Sequence, residues 1–176
     1  MAYTPRCPSV VYEVQPDRFG GDVGDPPLVA LRKNLDHLAD LCVDGLCLTP
    51  IFSSPHPVRL SVQDHFCVDP SLGSEEDLTS LCGAAEEKGI RVALTGIFDH
   101  VSSEHPWFVE AKLQDDDDRR VPLEHRTRRF FHFDDGLAAG FACHDGEPTQ
   151  PALNLKNPEV RRRLFTGETG VLHHWQ

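Results

Sequence analysis

The chain has 176 residues, of which 39% are hydrophobic and 26% are charged, and these proportions exclude a disordered protein and fit one globular domain with a sizeable core. Its 17 basic and 28 acidic residues give a formal net charge of -11, which argues against a nucleic-acid backbone or an anionic membrane surface as partner. A neutral ligand such as a sugar is compatible with this charge.

The cysteines and the N-terminus indicate a cytoplasmic protein. The first nine residues contain no apolar signal-peptide core, and no segment approaches the roughly 18 apolar residues of a membrane span. The cysteines form no C-x-x-C pair, and several fall in predicted helices or strands, where cysteine behaves as a small apolar residue. We interpret all six as reduced thiols rather than as a disulfide framework: Cys7, Cys42, Cys47, Cys67, Cys82 and Cys143.

The first half of the chain alternates predicted strands and helices. Residues 9–14 (SVVYEV) are β-branched and aromatic, and residues 46–49 (LCLT) form a short apolar run, so both segments are predicted strands. Prolines at positions 50, 55 and 57 favour a long loop over residues 51–72. Between the two strands, leucines recur at helical spacing and predict one amphipathic helix: Leu28, Leu31, Leu35, Leu38 and Leu41.

A second helix leads into the stretch on which the functional interpretation depends. Ser74 and Asp77 form a predicted N-terminal cap, and Gly89 is suited to end the helix. Residues 91–108 (RVALTGIFDHVSSEHPWF) then begin as a buried parallel strand and turn polar at Asp99 and His100. The order strand, helix, strand, helix, strand predicts an α/β fold with a parallel sheet, whose chemistry lies where the strands end.

The second half of the chain has a weaker pattern. The charge run at residues 115–120 (DDDDRR) is interpreted as a solvated loop, because a calcium loop needs alternating ligands and a glycine. Residues 128–135 (RRFFHFDD) predict a strand in an inserted excursion. Asn157 followed by Pro158 predicts a helix start, and Gly167 and Gly170 interrupt its continuation.

Five segments together resemble the N-terminal part of the catalytic barrel of the α-amylase family of glycoside hydrolases. They are VYEVQPDRF (11–19), GLCLTPIF (45–52), DHFCVDPSLG (64–73), FDHVSSEHPWF (98–108) and QPALN (150–154) before NPEVRR. Their order and spacing are similar to those of the α-glucosidase, oligo-1,6-glucosidase and neopullulanase-like branches. The likeness extends over nearly the whole chain.

The resemblance implies an α/β fold that is a partial (β/α)8 TIM barrel, with about three β/α units and an excursion inserted after the third strand. On this basis, residues 1–108 belong to the barrel, residues 109–156 form the loop-rich excursion, and residues 157–176 begin the third barrel helix. An open barrel edge predicts self-association.

The resemblance also implies retaining hydrolysis of α-glucosidic bonds in an α-glucan or a maltooligosaccharide, with two carboxylates at the ends of strands four and five. No G-x-R-x-D nucleophile motif occurs in the sequence, so both catalytic carboxylates are expected beyond Gln176. We therefore expect this chain to be inactive by itself.

Three residues carry the predicted site. His100 matches the family histidine that hydrogen-bonds the sugar, and Asp64, in the family-like segment DHFCVDPSLG, is expected to bind the substrate as well. Asp99 stands where the family usually has Asn, adjacent to a calcium site in some members. The resemblance therefore implies calcium at Asp99, while a turn or capping role for this residue stays equally open.

The sequence departs from the family pattern at ligand positions. Thr95 replaces a family Asp, Leu60 and Ser61 replace a sugar-binding Tyr-Asp pair, and Ala152 replaces the acid in QP-D-LN. Leu lacks the flat face that stacks on a sugar ring, and Ser lacks the charge of a carboxylate. An alternative is therefore a non-catalytic carbohydrate-binding or regulatory relative that assembles with another chain.

A metal-dependent hydrolase is a third alternative. It would use His100, His105, His173 and His174, but no H-E-x-x-H or comparable ligand spacing supports it.

Overall fold

The computed structural model describes residues 9–20, 24–113 and 127–176, so the predicted loop at residues 115–120 and Cys7 lie outside the described residues. The strands are β1 (Val11–Val14), β2 (Gly45–Leu48), β3 (Phe52–Ser53), β4 (Asp64–Val68) and β5 (Arg91–Leu94). The helices are α1 (Pro27–Lys33), α2 (Leu35–Asp40), α3 (Glu75–Glu87), α4 (Pro106–Ala111), α5 (Pro158–Arg161) and α6 (Val171–His174). Within those three described ranges, no helix is both long enough and apolar enough to cross a membrane.

The chain divides into two compact units, Met1–Ile51 with Val68–Gly96 and Phe52–Cys67 with Ile97–Gln176. The first unit contains a three-stranded sheet in the order β1-β2-β5. Both strand pairs are parallel, and the register places Val14 beside Leu48 and Leu48 beside Leu94. The predicted parallel sheet with helical crossovers is therefore confirmed.

The predicted leucine face is correct in its first four members, but the single helix is not. Leu28, Leu31, Leu35 and Leu38 are fully buried, whereas Leu41 is 51% exposed. The helix is broken at Asn34, whose side-chain amide donates to the carbonyl of Ala30 at 2.9 Å. Because α2 ends at Asp40, Leu41 lies beyond the helical register that would have buried it.

Two strand predictions were wrong. The β5 side chains are half-buried or exposed rather than buried, because β5 is an edge strand of this sheet and only β2 has a neighbour on each side. Residues 51–72 are not one long loop, since β3 and β4 form a two-stranded sheet in which Gln63 N donates to Ser53 O at 2.8 Å. The prolines at positions 50, 55 and 57 precede β4 and leave it free to pair.

Both ends of α3 form as predicted. The Ser74 hydroxyl accepts from the backbone N–H of Asp77 at 3.1 Å, and the Asp77 carboxylate accepts from the backbone N–H of Ser74 at 2.8 Å. At the other end, Gly89 adopts φ +75°, and the backbone N–H of Ile90 donates back to the carbonyl of Ala85 at 2.9 Å. This left-handed Gly is the usual C-terminal stop of a helix.

The second unit contains the β3–β4 sheet and a buried hydrophobic cluster against which several aromatic side chains pack. The predicted strand at residues 128–135 is instead a 3-10 helix, Thr127–Phe130, followed by isolated antiparallel bridges. Asn157 caps α5 as predicted, with its side chain accepting from Glu159 N at 2.9 Å, and a π-helical turn Arg162–Thr166 follows. The boundaries at residues 108 and 156 stay predictions. The buried cluster comprises Val101, Phe108, Ala111, Phe130, Phe131, Leu153, Val160, Leu164 and Val171.

Two glycines of the α3 region form a matched pair for a stability test. Gly89→Ala should lower the free energy of unfolding by about 1–2 kcal/mol, because a side chain disfavours the left-handed conformation. Gly83→Ala, within the helix and with no atom near the added methyl group, should raise it by about 0.5–1 kcal/mol. Urea denaturation followed by circular dichroism measures both changes, and equal effects would contradict the predicted helix end.

Candidate sugar-site residues and a histidine cluster

Three distant parts of the chain meet at His100, whose ring is almost fully buried. His100 forms an antiparallel bridge with Ala152, and the neighbouring Leu153 N donates to the carbonyl of Asp99 at 2.8 Å. The Nε2 atom of His100 lies 2.8 Å from the carbonyl oxygen of Leu60. The motif segments 98–108 and 150–154 and the loop just before β4 are therefore joined around one imidazole.

Asp99 lies between two histidines. One carboxylate oxygen is 2.9 Å from Nδ1 of His100, and the other is 3.1 Å from Nδ1 of His144. The two imidazole rings stack with centroids 4.1 Å apart and planes inclined by 17°. The Asp99 side chain is 58% exposed and that of His144 is 39% exposed, so solvent reaches the cluster from one side.

Sequence reasoning did not single out His144. It lies in a 3-10 turn, His144–Gly146, where Asp145 adopts φ 48°. A lone histidine in a loop-rich segment carries no motif, and only the backbone pairing of residues 99–101 with residues 151–153 brings it to Asp99.

The predicted sugar-binding residues have protein partners. Both ring nitrogens of His100 face protein atoms, so a sugar hydroxyl could bind this ring only by replacing Asp99 or Leu60. The carboxylate of Asp64 accepts from Phe66 N at 2.8 Å and from the thiol of Cys67 at 3.3 Å. The sugar-binding roles of His100 and Asp64 stay predictions.

Two residues that depart from the family pattern have structural contacts in the second unit. Ser61 is buried, and its hydroxyl donates to the carbonyl of Thr149 at 3.2 Å, which ties the segment before β4 to the segment before QPALN. Leu60 is 45% exposed. The Ser61 side chain is therefore part of the packed interior, whereas the Leu60 side chain presents an aliphatic surface to solvent.

The other histidines of the predicted metal set do not join this cluster. Among the described residues, the group arranged to hold a metal is Asp99, His100 and His144. His105 caps α4 instead, with Nδ1 accepting from Trp107 N at 3.1 Å. The remaining members of the predicted set, His173 and His174, are on α6 with exposed side chains.

His105 and His65 form a buried imidazole pair with ring centroids 5.7 Å apart. Burial, together with the repulsion that His65 would exert if both rings were protonated, lowers the pKa of His105 to about 3. Burial also lowers the pKa of His65, against the opposing effect of the Ile97 carbonyl that its Nε2 faces. Both rings are therefore neutral at pH 7, and His105 serves as a neutral capping acceptor.

Comparisons with known proteins identify the fold and then the family. The structure of Ttha1563 from Thermus thermophilus superimposes with a TM-score of 0.75 at 27% identity, covering 94% of this chain and 39% of that one. A trehalose-6-phosphate hydrolase of Bacillus subtilis (strain 168) is 30% identical over 95% of the chain. An intracellular maltogenic amylase of Bacillus subtilis is 33% identical over 85% of it.

The sequence model of the family described as "Alpha amylase, catalytic domain" matches residues 14–176. The chain belongs to the α-amylase family, and its fold is part of that family's (β/α)8 barrel, as the resemblance implied. It spans 32% of the length of the trehalose-6-phosphate hydrolase and 24% of that of the maltogenic amylase.

Calcium, which the family often binds, does not fit the donor set at Asp99. Calcium takes six to eight oxygen ligands. The two carboxylate oxygens of Asp99 face the imidazole nitrogens of His100 and His144, so the cluster offers two nitrogen donors and one carboxylate. We therefore derive no role for calcium at this position.

The buried His105 should make the protein less stable in acid. Below pH 6.5 the unfolded chain binds a proton at this residue that the folded chain does not bind until about pH 3, so stability falls as pH falls through that window. The cost approaches about 1.4 kcal/mol per pH unit for one proton. His105→Asn keeps a capping acceptor but cannot titrate, so its unfolding free energy should depend less steeply on pH between 6 and 4.

Urea titrations at several pH values measure these slopes. His37→Asn, at an exposed histidine, is the matched control and should change the slope less. An unchanged slope in His105→Asn would contradict a buried neutral imidazole.

Proposed function

We propose that this chain forms one wall of the sugar-binding site of a retaining α-amylase-type glycosidase, which acts on the α-glucosidic bonds of an α-glucan or a maltooligosaccharide. The observation that carries the proposal is the meeting of three distant parts of the chain at His100, through the Leu60 carbonyl, Asp99 and the bridge to Ala152. Residues far apart in sequence converge in this way where a fold builds a site. Family membership supplies the reaction class.

In this proposal the reacting carboxylates come from outside these 176 residues. Retaining hydrolysis needs two carboxyl groups about 5–5.5 Å apart, one as nucleophile and one as acid and then base. The sequence has no G-x-R-x-D motif for the nucleophile. His100 and Asp64 would bind sugar hydroxyls, which requires the sugar to replace one of the protein partners that each residue has in the structure.

The names of the relatives support an α-linked sugar as substrate and a cytoplasmic location, but they do not identify one particular sugar. Their names, trehalose-6-phosphate hydrolase and maltogenic amylase, differ in the sugar concerned. We therefore propose a glucose-containing α-linked sugar and no particular linkage. The name of the intracellular maltogenic amylase supports a cytoplasmic location for this chain as well.

Sugar binding and hydrolysis can be tested separately on the purified chain. Calorimetric titration with maltotetraose should show weak binding, and a chromogenic α-glucoside should not be hydrolysed. His100→Ala should weaken binding about tenfold, the value of one hydrogen bond of about 1.4 kcal/mol. His37→Ala, an exposed histidine in the other unit, should bind as the parent does.

Asp64→Asn is a second variant that keeps the shape of the side chain, and circular dichroism reports whether each variant is folded. Hydrolysis by the chain alone would contradict the placement of the carboxylates. Unchanged binding in folded His100→Ala and Asp64→Asn would contradict the proposed wall.

Ser61 and Leu60 favour a second candidate, a non-catalytic sugar-binding relative. Ser61 is committed to the Thr149 carbonyl, and Leu60 lacks a stacking face. If the exposed Leu60 faces the sugar, Leu60→Tyr should tighten maltotetraose binding several-fold, because an aromatic ring supplies an apolar face for the pyranose. An unchanged dissociation constant would place Leu60 outside the site.

A further inference from the structure

The contacts of His100 place an oxygen atom opposite each of its two ring nitrogens. A carbonyl oxygen only accepts hydrogen bonds, so Nε2, at 2.8 Å from the Leu60 carbonyl, must carry a hydrogen. In a neutral imidazole Nδ1 then has a lone pair, and it faces a carboxylate oxygen at 2.9 Å. Two lone pairs repel at this distance unless a second proton or a metal cation lies between them.

His144 repeats the arrangement on the other oxygen of Asp99. Its Nδ1 is 3.1 Å from Asp99, and its Nε2 is 3.6 Å from the carboxylate of Asp145. Each histidine thus directs Nδ1 toward Asp99, and the Nε2 of His100 is within hydrogen-bond distance of an acceptor, whereas the 3.6 Å separation at His144 is too long for a hydrogen bond. Metal-bound histidines usually have the distal N–H held by a carbonyl or a carboxylate, as His100 has.

We propose that Asp99, His100 and His144 bind one divalent transition-metal ion of the zinc class. Two imidazole nitrogens and one carboxylate oxygen form a donor set that zinc, cobalt and nickel accept and that calcium does not prefer. The three ligand atoms lie within 4.8 Å of one another, whereas tetrahedral coordination separates ligands by about 3.3 Å at bond lengths of about 2.0 Å.

Rotation of the His144 side chain would bring the ligand atoms to the shorter distances that tetrahedral coordination needs. The rings are nearly parallel, so their in-plane lone pairs do not converge until one ring turns. His100 is buried and held by Leu60, whereas the side chain of His144 is 39% exposed and can rotate toward the ion. Water completes the coordination from the solvent side, where Asp99 is exposed.

This proposal does not rest on sugar binding. An ion at Nδ1 leaves the Nε2 hydrogen of His100 to donate to the Leu60 carbonyl, as in the structure, or to a sugar oxygen that replaces this carbonyl. The metal set predicted from sequence shares only His100 with this cluster, since His105, His173 and His174 lie outside it.

The test is titration of the full 176-residue chain with Co²⁺, followed by its visible absorption, and with Zn²⁺, followed by calorimetry. We expect one ion per chain and a ligand-field spectrum without the thiolate-to-cobalt band that cysteine ligands would produce. Asp99→Asn and His144→Ala should each weaken Zn²⁺ binding about tenfold or more. The side chains of Asp99 and His144 are 58% and 39% exposed, so these variants should fold, as circular dichroism will check.

His173→Ala, at an exposed histidine outside the cluster, is the matched control and should leave the affinity unchanged. Millimolar Ca²⁺ should not displace Zn²⁺. The proposal is overturned if the chain binds neither Zn²⁺ nor Co²⁺, if His144→Ala binds Zn²⁺ as the parent does, or if the cobalt spectrum shows thiolate ligation. A His100 ring that stays doubly protonated by ¹⁵N NMR after Zn²⁺ is added would also overturn it, because the proton would then occupy the position assigned to the metal.

Discussion

The bond between His100 and the Leu60 carbonyl is the constraint on which the arrangement of the second unit depends. It links a residue after β5 to a residue before β4, forty positions earlier in the chain. The backbone around His100 also pairs with residues 151–153, about fifty positions later. A buried imidazole without these partners would be costly, so the same contacts that place the ring also select the path of both loops.

The aromatic packing around His65 and His105 keeps both imidazole rings neutral. His65 and His105 are enclosed by aromatic side chains and are held neutral by burial. A neutral ring can cap α4 as an acceptor, which a charged ring could not do. The histidines that face a carboxylate in this unit include His100 and His144, which both contact the exposed Asp99.

Local sequence signals predicted those features whose causes are local. The capping box of Ser74 and Asp77, the stop at Gly89 and the parallel order of the strands all follow from short-range rules. The pairing of β3 with β4 and the approach of His144 to Asp99 depend on contacts between separate segments of the chain. The hydrophobic periodicity of a sequence does not predict contacts between separate segments, and a single histidine in a loop forms no motif.

The resemblance to the family implies Asn at position 99, and the Asp found there changes what the site can hold. An amide could donate its NH₂ group to the Nδ1 lone pair of His100 and satisfy a neutral ring with no cation present. A carboxylate only accepts, and here its two oxygens face two imidazoles. The exchange of one nitrogen for one oxygen therefore replaces a hydrogen-bond donor with an acceptor, and the proposed ion supplies the positive charge between the carboxylate and the imidazoles. With imidazole nitrogen on both sides of that charge, the donor set favours a transition metal over calcium.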